Sequence, residues 1–171
     1  MHAQSLARAS DMCFQVVVLD SNLTHSARRL VMFPAHAVAP DASTTFNGRV
    51  FSYYRILRRW DDANITCKAL GANLATVRDT SELSQLWSLA LQKDAWVGGH
   101  TKGSLPPTNK TNWEWVGSPG QAVATNLWGQ WEPSGDGLCG HLSNFSNHNG
   151  SLNDQPCQSS FAYICETLAP T

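Results

Sequence analysis

The sequence predicts a single α+β domain, and three observations carry that expectation. Two amphipathic helical patterns stand side by side between residues 60 and 91. After Lys93 the helical period vanishes, and short runs of strand-forming residues alternate with stretches rich in Gly, Pro, Asn and Ser. The length, 171 residues, suits one ordinary domain and leaves little room for two.

The first element is a strand at Val50-Phe51-Ser52-Tyr53-Tyr54, rich in aromatic and β-branched residues. A helix follows from Trp60, with Trp60, Ala63, Cys67 and Leu70 along one face and Gly71 placed to end it. A second helix starts after Asp79, which has Glu82 three positions on in capping-box spacing. Its Leu83, Leu86, Trp87, Ala90 and Leu91 form a stripe for burial. Ala95–Gly98, Asn112–Val116, Leu138–Leu142 and Phe161–Cys165 are further short strands. No internal repeat is present.

The domain occupies residues 46–167 on this reading, and residues 1–45 form an extension without Trp or sustained period. Arg28-Arg29, Leu30–Phe33 and Ala35-His36-Ala37 faintly follow a secretory signal; the alternatives are a disordered extension or the start of a fragment. A net charge of −1 argues against nucleic-acid partners, and no apolar run is long enough to span a bilayer. Hydrophobic residues at 42% against 15% charged supply a sizeable core.

Five cysteines, four of them after residue 66, and five Asn-x-Ser/Thr sequons at Asn22, Asn64, Asn109, Asn144 and Asn149 favour a glycoprotein that is secreted or extracellular. Cys67 lies on the buried helix face and Cys165 in the last strand; four cysteines permit three pairings, and spacing alone does not choose. Cys13 is left over. No CxxC pair or His cluster suggests zinc.

Several motifs then fall in order. They are Trp60-Asp61-Asp62-Ala63 with Cys67, Leu70-Gly71-Ala72-Asn73-Leu74-Ala75-Thr76-Val77, Ala95-Trp96-Val97-Gly98-Gly99 and Trp113-Glu114-Trp115-Val116. Asn126-Leu127-Trp128, Glu132-Pro133-Ser134, Cys139, Asn153-Asp154 before Cys157, and Phe161-Ala162-Tyr163-Ile164-Cys165-Glu166 complete the series. Together they resemble a C-type lectin-like domain over about residues 46–166. The resemblance implies two helices, small antiparallel sheets and a long ligand-binding loop. It also implies Cys67–Cys165 and Cys139–Cys157 bridges. Cysteines for the extra N-terminal hairpin bridge of longer members are missing, which implies the short form.

On composition alone, Trp131–Asp154 reads as a long loop holding Glu132, Asp136, Asp154 and the amides of Asn144, Asn147, Asn149 and Asn153. These are the hard oxygen ligands that Ca²⁺ takes. In sugar-binding members of the resembled family, a Glu-Pro-Asn or Gln-Pro-Asp tripeptide and a Trp-Asn-Asp motif hold a calcium ion that also takes two vicinal sugar hydroxyls. Carried over, Glu132, Ser134, Asn153 and Asp154 would bind both ion and sugar, and Pro133 would follow a cis peptide bond. Ser134 replaces the usual amide or carboxylate, and Leu152 replaces the Trp. The family's further acidic ligand falls at Gly137, with Asp136 one residue earlier as its substitute.

The resulting expectation is a non-enzymatic module that binds glycans or glycoproteins through Ca²⁺, with a weak preference for mannose- or glucose-type sugars and an open oligomeric state. The competing expectation is the same fold binding a protein ligand without calcium or sugar. A hydrolase could be built from Glu132 and Asp154, but nothing in the sequence puts either in an apolar pocket. Arg55, Arg58 and Arg59 read as a solvated cluster paired with Asp61 and Asp62, and His100, His141 and His148 as bland surface or loop residues. Trp128 and Trp131 flank the site, where either could stack on a sugar or anchor the loop; Trp60, Trp87, Trp96, Trp113 and Trp115 read as core.

Overall fold

The computed structural model describes residues 38–144 and 150–170. The signal-like stretch, Cys13, Asn22, Asn147, His148 and Asn149 lie outside the described residues. Strand β1 (Ala42–Phe46) starts ahead of residue 46 and pairs with β2 (Arg49–Arg58). The two-residue turn between them is Asn47-Gly48, with φ of 49° and 71°. Positive φ at both positions makes the tight hairpin turn whose twist matches its strands. The missing cysteines therefore do not remove the N-terminal hairpin; it forms without a bridge.

The second strand of the hairpin pairs along the last strand of the chain, and a buried ionic cluster reinforces that pairing. Arg49 is 3% exposed and pairs with Glu82 and Glu166, and its guanidinium also donates to the carbonyl of Thr76 at 3.0 Å. Glu166 in turn accepts the N–H of Thr76 at 3.1 Å. The hairpin is thus fastened to the second helix and to the last strand through one buried side chain.

Helix α1 (Trp60–Ala69) buries Trp60, Ala63 and Cys67, and Gly71 follows its end with φ of 72°, the left-handed stop that glycine adopts freely. Strand β3 (Asn73–Leu74) leads to α2 (Thr80–Leu89). Asp79 caps α2 by accepting the N–H of Glu82 at 2.9 Å, while Glu82 returns to Arg78 rather than to Asp79. The helix stops before Leu91. That residue takes a positive φ of 56° and is exposed, because the chain must turn there into the next strand.

Strand β4 (Ala95–Thr101) is central and buried almost throughout. Strands β5 (Trp113–Trp115), β6 (Ser118–Ala122), β7 (Cys139–Leu142), β8 (Leu152–Gln155) and β9 (Phe161–Leu168) complete one hydrogen-bonded network in the order β1-β2-β9-β4-β5-β6. β3 pairs with β9, β7 with β4, and β8 with β7. β4 and β9 run parallel, whereas the other strand pairs are antiparallel.

The core has two parts. Trp113, Trp115, Leu86, Leu142, Leu152 and Ile164 fill one; Trp60, Trp96, Tyr163 and the Cys67–Cys165 bridge fill the other. Cys139 and Cys157 are bridged as well, with Cα atoms 5.2 Å apart. Among the described residues, no helix is long and apolar enough to cross a membrane.

Candidate functional site

The site is assembled by the β7–β8 hairpin and one arm of chain laid against it. In the hairpin register Asn153 faces His141 and Asp154 faces Gly140. Asn153 and Asp154 are therefore strand residues, not loop residues as their polarity suggests; the pairing with β7 overrides local propensity. The arm is tied to β8 by the N–H of Gly129, which donates to the carbonyl of Leu152 at 2.9 Å. A turn from Gly129 to Glu132 and a cis Glu132-Pro133 peptide bond then direct Ser134 back over Asp154.

Asp154 is the hub, fully buried at 0% exposure. Its Oδ1 accepts the N–H of Ser134 at 2.7 Å and the Ser134 hydroxyl at 3.3 Å. Its Oδ2 accepts the N–H groups of Gly135 at 3.0 Å and Gly137 at 2.9 Å. The loop thus wraps its backbone amides around a carboxylate and forms an anion nest. These amides compensate the buried charge of Asp154.

Glu132, 9% exposed, also accepts the Ser134 N–H, at 2.8 Å. Burial, reinforced by a side-chain hydrogen bond with Asp154, pushes its carboxyl up to about 7. Asp136 is exposed, yet its carboxyl is also pushed up, first by desolvation and then by the Asp154 charge. The three acids named from the sequence do gather.

Gly137 explains why the acidic residue stands at 136 instead. A Cβ at 137 would lie 1.8 Å from the backbone carbon of Gln155, so no side chain fits there.

Asn153 is 8% exposed, and its Oδ1 is buried without a hydrogen-bond partner among the described residues. Its own carbonyl lies 3.1 Å from His141 Nδ1, and a carbonyl only accepts, so Nδ1 carries the proton. His141 is buried, stacked on Phe161 at 4.9 Å with Trp96 edge-on at 5.8 Å. It is therefore no bland surface histidine but a prop beneath the site. The signal for it was its place in an apolar run, Cys139–Leu142.

The tryptophans divide. Trp128 is buried, edge-on to Trp113 at 4.7 Å, while Trp131 is 86% exposed. Trp60, Trp96, Trp113 and Trp115 are core; Trp87 is half-buried. Arg55 lies beside Asp41, at 4.0 Å, and not beside Asp61 or Asp62. His100 is half-buried, with Nε2 4.0 Å from Glu114.

Comparison with known proteins places these features. The family model for the lectin C-type domain matches residues 56–167. C-type lectin domain family 4 member M of Hylobates lar is 29% identical over 133 residues, covering 74% of this chain and 31% of its own length. CD209 antigen of Homo sapiens is 30% identical over 132 residues, covering 74% of this chain and 30% of its own. A lectin of Pleurodeles waltl is 28% identical over 133 residues, covering 70% and 72%. The chain thus spans about a third of the length of the mammalian relatives.

Among solved structures, an SPL-1–GlcNAc complex superposes with a TM-score of 0.64 at 23% identity, covering 75% of this chain and 94% of that one. A calcium-independent type II antifreeze protein gives 0.63 at 21% identity, covering 78% and 96%. At these identities the likeness concerns the fold. The match of the family model over most of the chain establishes the family: this chain belongs to the C-type lectin domain proteins.

Proposed function

We propose that the domain binds carbohydrate through a calcium ion, without covalent chemistry, as an exported glycoprotein, with a weak preference for mannose- or glucose-type sugars. The carrying observation is the Oδ1 of Asn153: a buried carbonyl-type oxygen without a partner is costly unless something takes its lone pairs. A hard cation is such a taker, and Glu132, Ser134, Asp136 and Asp154 stand on the same hairpin and arm as its other candidate ligands. Among the described residues, no three His, Cys, Asp or Glu side chains suffice for a metal by themselves, so the amide and hydroxyl oxygens would complete the set. When bound, the ion supplies a charge on which vicinal sugar hydroxyls can sit.

A hydrolase gains no support from this arrangement. Glu132 and Asp154 converge on one N–H, whereas glycosidase carboxylates flank a bond from about 5 Å or more apart.

The second reading, a protein ligand bound without calcium or sugar, is favoured by one observation: both oxygens of Asp154 are already engaged by the loop amides. The deciding experiment is retention on a mixed monosaccharide resin in calcium with release by chelator, together with a melting scan under both conditions. Retention that survives chelator would remove calcium from the reading but keep the sugar, and no retention would leave the protein-ligand reading in place.

A further inference from the structure

Trp131 occupies a position that the fold would fill better with glycine. The turn from Gly129 to Glu132 is closed by the Glu132 N–H donating to the Gly129 carbonyl at 3.1 Å, which makes Trp131 its third residue. There the backbone takes a φ of 70°. A Cβ in the left-handed region crowds the following carbonyl, so such turn positions favour Gly or Asn. The side chain gains nothing in exchange, because the indole is 86% exposed. Trp128, three residues earlier, shows the contrast: it is buried against Trp113. One short arm thus sends one indole into the core and holds the next in water on a strained backbone. A residue that disfavours the fold on both counts points to a role outside folding.

Its surroundings say which role. Trp131 is the chain neighbour of Glu132, with Cα atoms about 3.8 Å apart. The turn is tied to β8 through Gly129 and Leu152, directly before Asn153 and Asp154. The ring is therefore carried, open to solvent, on the same turn that delivers Glu132 to the candidate site. An indole face is electron-rich and apolar, and the C–H face of a pyranose is its complement.

We propose that Trp131 is a stacking platform for a second pyranose, the residue next to the one held at Glu132 and Asn153, so that the domain selects oligosaccharides over single sugars. This rests on the carbohydrate reading given above. The platform is pre-set, because the turn fixes the backbone before the ligand arrives.

The test measures calorimetric affinities in calcium for methyl α-mannoside and for linear α-mannotriose. The proteins are the whole chain, Trp131→Ala, Trp131→Phe and Trp131→Gly. The unsubstituted chain should bind the trisaccharide at least about tenfold more tightly than the monosaccharide. In Trp131→Ala that ratio should fall to the roughly threefold advantage of offering three sugar units. Trp131→Phe should keep most of it, and the indole emission should shift with mannotriose only where Trp131 is present. Trp131→Gly should lose the same preference while melting at a higher temperature, which separates a ligand role from a folding role. An unchanged ratio in Trp131→Ala overturns the platform alone, as does a ratio near one in the unsubstituted chain with monosaccharide binding intact. If the unsubstituted chain binds neither probe in calcium, the carbohydrate reading falls and the platform with it.

Discussion

Asp154 accepts the backbone N–H of Gly137 at 2.9 Å, and Gly137 sits where any Cβ would run into the backbone of Gln155, the residue after Asp154. Steric exclusion and a charge-assisted hydrogen bond thus press the same two strands of chain together. Removing the carboxylate with Asp154→Ala strands the buried N–H of Gly137 and the part-buried N–H of Gly135, while the Ser134 N–H keeps Glu132. The expected loss is about 3 kcal/mol of stability in chelator, together with any calcium-induced rise in melting temperature. Chemical denaturation with and without calcium measures both, and a variant as stable as the original would contradict the nest.

Glu132 predicts a pH dependence with a definite sign. Its folded carboxyl is raised to about 7, so the folded state holds a proton that the unfolded state releases nearer 4.3. Stability in chelator is therefore full below the ordinary carboxylate range and declines as pH rises through about 7. Glu132→Gln should flatten that decline. Calcium affinity should strengthen over the same interval, because the ligand must be ionised. Melting scans and calcium titrations between about pH 5 and about pH 8 check both trends.

Ser134 offers one short hydroxyl where the resembled sugar-binding members carry an amide or carboxylate, and that hydroxyl already reaches Asp154 at 3.3 Å. Ser134→Asn supplies a longer carbonyl oxygen and separate N–H donors. Mannose affinity should rise by about tenfold, the worth of one good hydrogen bond. A galactose preference that survives the substitution would show that the tripeptide does not govern which sugar is taken.

Arg49 should matter more than any surface charge. Arg49→Ala leaves Glu82 and Glu166 facing each other with their shared cation gone, at an expected cost of about 3–5 kcal/mol. Arg55→Ala, which removes an exposed pair at 4.0 Å, should cost less than about 1 kcal/mol. Comparing the two by urea denaturation tests whether the hairpin depends on its buried bolt.

The sequons should differ in occupancy when the chain is made in a secretory host. Asn109 is exposed, and its Oδ1 accepts both the N–H and the hydroxyl of Thr111, at 3.0 and 2.8 Å, leaving Nδ2 to the outside. Asn64 is half-buried with a buried Oδ1. Glycopeptide mass spectrometry should find sugar on Asn109 and little on Asn64.

Much of the fold was legible because periodicity and caps agreed. The stripe after Asp79 became α2 and the Ala95–Gly98 run became the central strand. Other elements carried no such signal. β1 reads Ala-Ser-Thr-Thr-Phe, and only the Asn47-Gly48 pair after it announced a hairpin. β6 contains Pro119 and Gly120, which an edge strand tolerates and a pattern search rejects. At the site, composition named Glu132, Asp136 and Asp154 together with four amides, and the family resemblance singled out Asn153 among them. The support of Asn153 by His141 was not, since it depends on a cross-strand register that a single sequence does not display.

The β7–β8 hairpin is closed at both ends. Cys139 and Cys157 join its base, and Ser143 bonds Gly150 and Ser151 at its far end, at 2.9 and 3.0 Å. The two closures act independently on the same pair of strands. A change that opens one of them leaves the other to hold Asn153 opposite His141 and Asp154 opposite Gly140, so the candidate ligands keep their register against a single local failure.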